Sequence, residues 1–145
     1  MLEPGLVVGV STSEWRGTGK INVGNGYLER DYGLLGDAHA GTERPVSVLA
    51  LECIEEAITG KGIAAKPGDF AENITVNGLN LEGIAIGARL ALGEAEVEVI
   101  QIGKVIDASH AFNFHGLALL VSRGCFCRVV KSGRVRVGDR AKVLS

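Results

Sequence analysis

Glu94-Ala95-Glu96-Val97-Glu98-Val99 alternates a carboxylate with a small or β-branched apolar residue at every step. A period of two sends successive side chains to opposite faces, so the stretch predicts a strand with one wet and one dry face. Arg134-Val135-Arg136-Val137 repeats the pattern with the opposite charge. If the two strands are neighbours, their charges pair across the ladder. Working outward, Leu6 to Val10, Val46 to Leu49, Asn73 to Val76, Arg89 to Leu92 and Ala141 to Leu144 read as further short strands between glycine-marked turns. The 21 glycines fit a tightly turned, mainly β barrel. One helix stands out: Leu51, Ile54 and Ile58 form an apolar stripe, Glu52, Glu55 and Glu56 point elsewhere, and Gly60 supplies a stop.

At 145 residues the chain fits a single domain, residues 1–145, able to bury a core. Its 15 basic and 17 acidic residues are spread along the chain, with no basic block to engage phosphate backbones, so nucleic-acid binding is not expected. No charged-then-apolar leader opens the sequence and its apolar runs are too short to span a bilayer, which predicts a cytoplasmic protein without a membrane partner. Three cysteines with no disulfide-framework spacing fit reduced thiols.

Two segments interrupt the strand pattern with polar residues and glycine: G-L-L-G-D-A-H-A-G-T-E-R-P-V-S at 33–47 and P-G-D-F-A-E-N-I-T at 67–75. Each runs directly into an apolar stretch that can support it rigidly, which suggests a binding surface. In wording and order the pair resembles the MOSC family, named for the C-terminal domain of molybdenum cofactor sulfurase, in its small stand-alone prokaryotic form. The resemblance begins near Val7 to Val10, passes through Lys20 and both polar segments, continues along Glu94 to Lys104 and resumes at Gly124 to Asp139. It implies a closed β-barrel with short helices, a link to the molybdenum cofactor, and sulfur carried as a persulfide on a cysteine two positions after the lysine of a Gln-Ile-Gly-Lys string. Here that string is Gln101 to Lys104, and Ile106 occupies the cysteine position. An isoleucine cannot hold transferable sulfur, so whether the chain is an enzyme stays open.

In the first polar segment Asp37, His39 and Arg44 offer a carboxylate, an imidazole and a guanidinium for an anionic ligand such as a pterin phosphate. Loop architecture is the alternative for Asp37 and His39, and a surface ion pair for Arg44. In the second, Asp69 reads as a turn residue, while Glu72 and Asn73 match a string that the resemblance implies lies near the cofactor cleft; a strand-tying role is the alternative. Lys20, among glycines, fails the P-loop pattern because Ile21 replaces the needed Ser or Thr. It either contacts an anion or is a solvated loop lysine. Arg128 is a further candidate ligand residue.

Cys125 and Cys127, two apart in a strand, share a face and are the candidate catalytic thiols for a redox or sulfur-transfer pair. Val129 on that face and Arg128 on the other make the face look interior, which favours buried thiols; Cys53, beside Ile54 in the helix, reads as core. His110 and His115 lie five apart without enough further ligands for a metal site. Phe112 and Phe114 read either as an aromatic wall for a planar heterocycle or as core. The expected function is binding of the molybdenum cofactor (molybdopterin) or a related anionic ligand. The alternative is a non-catalytic barrel with apolar surface around Phe112 to Val121, forming a homo-oligomer or joining a cofactor-biosynthesis partner.

Overall fold

The computed structural model describes residues 5–103 and 112–144; Ile106 and His110 lie outside them. Among these residues eleven strands and two short helices follow in chain order: β1 (Gly5–Thr12), β2 (Ile21–Asn22), β3 (Asn25–Glu29), β4 (Gly33–Leu34), β5 (Val46–Ala50), α1 (Leu51–Ile58), β6 (Ile74–Asn77), β7 (Arg89–Leu92), β8 (Ala95–Ile102), α2 (Leu119–Arg123), β9 (Cys125–Lys131), β10 (Gly133–Arg136) and β11 (Arg140–Val143). The sheet runs β11-β7-β8-β9-β5-β6-β1, and pairing of β1 with β11 closes it into a barrel of seven strands. Closure leaves no free edge among those strands. A separate sheet, β10-β3-β4, packs beside it.

Most pairings are antiparallel, but β5 and β6 run parallel, Val48 opposite Ile74 and Ala50 opposite Val76. A parallel pair needs a crossover. Here α1 and the second polar segment provide it, so the loop at 67–73 is carried between two strands that are themselves hydrogen-bonded. In α1, Ile54 is buried, Glu52, Glu55 and Glu56 are exposed, and the chain leaves the helix at Gly60, which takes φ +76°.

Alternation decides the interior. Ala95, Val97 and Val99 of β8 face inward with Cys125, Cys127 and Val129 of β9, joining Val7, Val48 and Ile74 in one apolar core. A second cluster forms outside the barrel wall around Leu49, Ile54 and Phe70. Phe114, Leu117, Leu119 and Leu120 pack onto it while remaining partly exposed. Phe114 meets Phe70 edge-on at 5.2 Å between ring centroids.

The charge pairing expected between the strands at 94–99 and 134–137 is not found. Strand β10 pairs with β3, and the cations that form ion pairs with β8 among the described residues come from β9: Arg128 lies opposite Glu98, Nη2 to Oε1 3.0 Å, and Lys131 approaches Glu96 at 3.8 Å. Local periodicity predicts which face is wet; only long-range register decides what lies opposite.

Candidate anion-binding cleft

The turn after β1 brings Lys20 back beneath the first polar segment, where its side chain is 1% exposed. The expectation of a solvated loop lysine is therefore overturned. Its ammonium donates to Asp37 Oδ1 at 2.7 Å and to Ser13 Oγ at 2.9 Å, and lies 3.2 Å from His39 Nδ1. The buried lysine thus lies against the ring of His39, whose side chain is one-third exposed.

Asp37 is the counter-charge that makes a buried lysine tolerable. Burial would raise its carboxyl, but the hydrogen bond and charge of Lys20, with the amide of His39, outweigh that and hold it below the ordinary aspartate value. Its oxygens also accept the backbone N–H of Ser13 at 3.1 Å and of His39 at 3.0 Å. Asp37 and Lys20 are consequently buried supports paired with each other beneath the surface.

Asn73 clasps the strands on either side of it. Its Oδ1 accepts the N–H of Ser47 at 3.0 Å, and its Nδ2 donates to the carbonyl of Ser11 at 3.1 Å, so a side chain does what a ladder would do and β6 begins one residue later than the sequence suggests. Asp69 closes its own turn, accepting the N–H of Lys66 at 2.8 Å. Glu72 is fully buried: Oε1 accepts the N–H of Phe70 at 3.2 Å and Oε2 the hydroxyl of Thr75 at 2.7 Å. Burial pushes its carboxyl above the ordinary glutamate value of 4.5 despite these donors. Between Phe70 and Glu72, Ala71 is held at φ +69°, a conformation an L-residue adopts only under constraint.

The sign of the pH effect follows. Above pH 4.5 the unfolded chain ionises Glu72 while the folded chain resists, so the raised carboxyl costs stability as pH rises toward its folded value. Glu72→Gln is expected to stay within about 1.5 kcal/mol of the parent at pH 4, one hydrogen bond's worth. The comparison then turns in the variant's favour by pH 7. Urea titrations of both proteins at the two pH values check this, and a difference that does not change with pH would refute it.

Above these supports opens a cleft of ≈ 630 Å³. Arg16, His39 and Arg44 provide cationic and donor groups on its wall, with Glu43 the one carboxylate among its described lining residues. Arg44 extends over the ring of Phe126, 5.7 Å from its centroid, rather than into a surface ion pair. Phe112 lines the same space, so the two candidate aromatics divide: Phe112 is wall and Phe114 is core. The volume lies within the usual range for small-molecule sites, about 300–1,000 Å³.

The structure brings His39, Arg44 and Asn73 together and leaves the others out. Arg128 is on the outer face of the barrel, paired with Glu98, and does not reach the cleft. Cys125 and Cys127 are buried on the core side of β9, whereas Phe126 between them faces the cleft. Desolvation pushes Cys125 up to about 11 and raises Cys127 further. Neither is a thiolate at neutral pH, and none of the chain's three cysteines lines the cleft. Arg16, Ser47 and Phe126 were missed from sequence. For Phe126 a signal existed: if the flanking cysteines point inward, the residue between them points out.

A comparison with curated proteins finds no match. Among solved structures, the fold is similar to that of the YuaD protein from Bacillus subtilis, with a TM-score of 0.72 at 18% identity over 96% of this chain and 94% of that one. It is also similar to YiiM from Geobacillus stearothermophilus, TM-score 0.68 at 21% identity over 97% and 73% of the two chains. For YiiM from Escherichia coli the TM-score is 0.62 at 22% identity, over 100% and 70%. At these identities the likeness establishes the barrel. No helix among the described residues is long and apolar enough to cross a membrane. Residues 36–142, which include all but the first three residues of the two polar segments and most of the barrel, match the MOSC domain, and the chain belongs to that family.

Proposed function

We propose that the cleft binds the molybdenum cofactor, its pterin or a closely related anionic heterocycle. The observation that carries this reading is the pairing of Arg16 and Arg44 with His39 and the aromatic rings of Phe112 and Phe126. Guanidinium forks suit phosphate oxygens, and flat rings suit a flat heterocycle. The phosphate and pterin parts of the cofactor fit these residues. A thiolate ligand for its metal does not, because the three cysteines lie elsewhere and Ile106 occupies the family's cysteine position. The role proposed is therefore holding the cofactor, without a persulfide step on this chain.

Anaerobic titration of the purified protein with molybdopterin, followed by pterin fluorescence, tests the proposal. Saturable binding is expected. Arg44→Ala should weaken it about 10–100-fold, the loss of one charge-assisted hydrogen bond, while Arg128→Ala leaves it unchanged. Absence of saturable binding, or equal effects of the two substitutions, sinks the reading.

A further inference from the structure

A second cavity, of ≈ 590 Å³, opens between α1, the residues 78–84 and the first residue of β9. Its floor is Cys53 of α1 and Cys125 of β9, and Leu79, Leu81 and Ile84 line its side. Cys53 is 9% and Cys125 1% exposed. Both thiols are free, and neither sulfur is engaged by a hydrogen bond among the described residues. Two buried cysteines thus line space that the described residues do not fill. Polarisable sulfur makes favourable contacts with aromatic rings, so the floor suits a flat hydrocarbon better than a sugar or a phosphate.

Charge at the mouth selects further. Glu52, Glu56 and Glu82 lie there against one cation, Arg123, which is already shared by Glu82 at 2.8 Å and Glu56 at 3.4 Å. Glu52 Oε2 accepts the N–H of Gly78 at 2.7 Å and so stays fixed at the mouth. Among the described lining residues, carboxylates exceed cations by two, three against one. This is the reverse of the first cleft, where guanidiniums outnumber carboxylates by two to one. An apolar chamber of ligand size, floored by sulfur and rimmed by excess negative charge, is complementary to a cation carried on an aromatic body.

We propose that this cavity is a second binding site, for a small aromatic amine whose ring rests against Cys53 and Cys125 and whose ammonium meets the carboxylates at the mouth. The site is separate from the anion cleft: strand alternation sends Cys125 to one and Phe126 to the other. Its occupancy does not depend on whether the cleft holds a pterin.

Naphthalene fluorescence anisotropy with 1-naphthylmethylamine and 1-naphthoic acid as probes tests it on the whole protein. The amine is expected to bind saturably and at least tenfold tighter than the acid. Ile84→Trp, which fills the half-buried side of the chamber, abolishes amine binding. The exposed pair Glu56→Gln and Glu82→Gln frees Arg123 and cuts the amine-to-acid ratio at least tenfold. Bound amine also slows alkylation of Cys53 by iodoacetamide, read by mass spectrometry. Equal affinity for the two probes, no saturable binding of the amine, or amine binding untouched by both sets of substitutions overturns the proposal.

Discussion

Replacing Asp37 with alanine is expected to lower the free energy of unfolding by about 3–5 kcal/mol, the cost of leaving one member of a buried ion pair without its partner. Lys20 sits with its side chain 1% exposed and its ammonium 2.7 Å from Asp37 Oδ1. Without the carboxylate it keeps only a hydroxyl and an imidazole nitrogen as acceptors, and the N–H groups of Ser13 and His39 lose theirs. Lys20→Met in the Asp37→Ala background removes the stranded charge and should recover part of the loss, so the two substitutions are strongly non-additive. Urea unfolding of the two single variants and the double variant measures the coupling. A loss below about 1 kcal/mol that adds simply with Lys20→Met would mean that the pair does not carry the loop. The pH dependence has a definite sign. Because the folded carboxyl lies below the ordinary aspartate value of 3.8, its contribution is present above that pH and disappears as pH falls through the folded value.

Gly68→Ala should cost about 2–5 kcal/mol, from a left-handed backbone and a clash with fixed atoms together. Gly68 stands at φ +95°, and an added Cβ would lie 2.5 Å from the carbonyl oxygen of Lys20 and 2.8 Å from Ser11 Oγ. The neighbour is backbone and cannot swing away. Gly68 also accepts the N–H of Lys20 at 2.8 Å and of Ala71 at 2.9 Å, so it is the point where the second polar loop is pinned to the segment that delivers the buried lysine. Gly87 provides the control: it has the same φ of +95° with nothing within 4 Å of an added Cβ. Gly87→Ala therefore reports the conformational cost alone, about 1–2 kcal/mol. The excess of Gly68→Ala over Gly87→Ala measures the close approach of the two loops. Equal losses in thermal or urea unfolding would show that the loops are not held together there.

The two substitutions probe the same joint from opposite sides. Lys20 is covered because Gly68 lets the 67–73 loop lie on its backbone, and it is tolerated because Asp37 neutralises it. On that joint rests His39, whose Nδ1 lies 3.2 Å from the Lys20 ammonium. The reactive-looking groups of the two polar segments are thus mostly scaffold, and the surface that can meet a ligand is built from residues with less conspicuous sequence settings.

Much of the barrel is legible in the chain because a pleated strand writes its two faces into consecutive residues. Arg89–Leu92 is the strand that the residues suggest, Val97 and Val99 are buried where alternation puts them, and α1 stops before Gly60. The five-residue helix Leu119–Arg123 is not legible in the chain, since one turn and a half is too short for a helical period to show. The partners of charged residues were not legible either. Arg128 meets Glu98, and Arg134 and Arg136 lie on a strand paired with β3.

By itself, then, the sequence determines the barrel's strands, the inward face of Cys125 and Cys127, and the two polar segments that mark the family, because each is set by residues adjacent in the chain. Only the tertiary structure decides that Lys20 is buried while Arg16, Arg44, Phe112 and Phe126 share one cleft. Those four residues are drawn together by barrel closure and by the crossover between parallel strands, and local periodicity carries no information about which distant segments such closure makes neighbours.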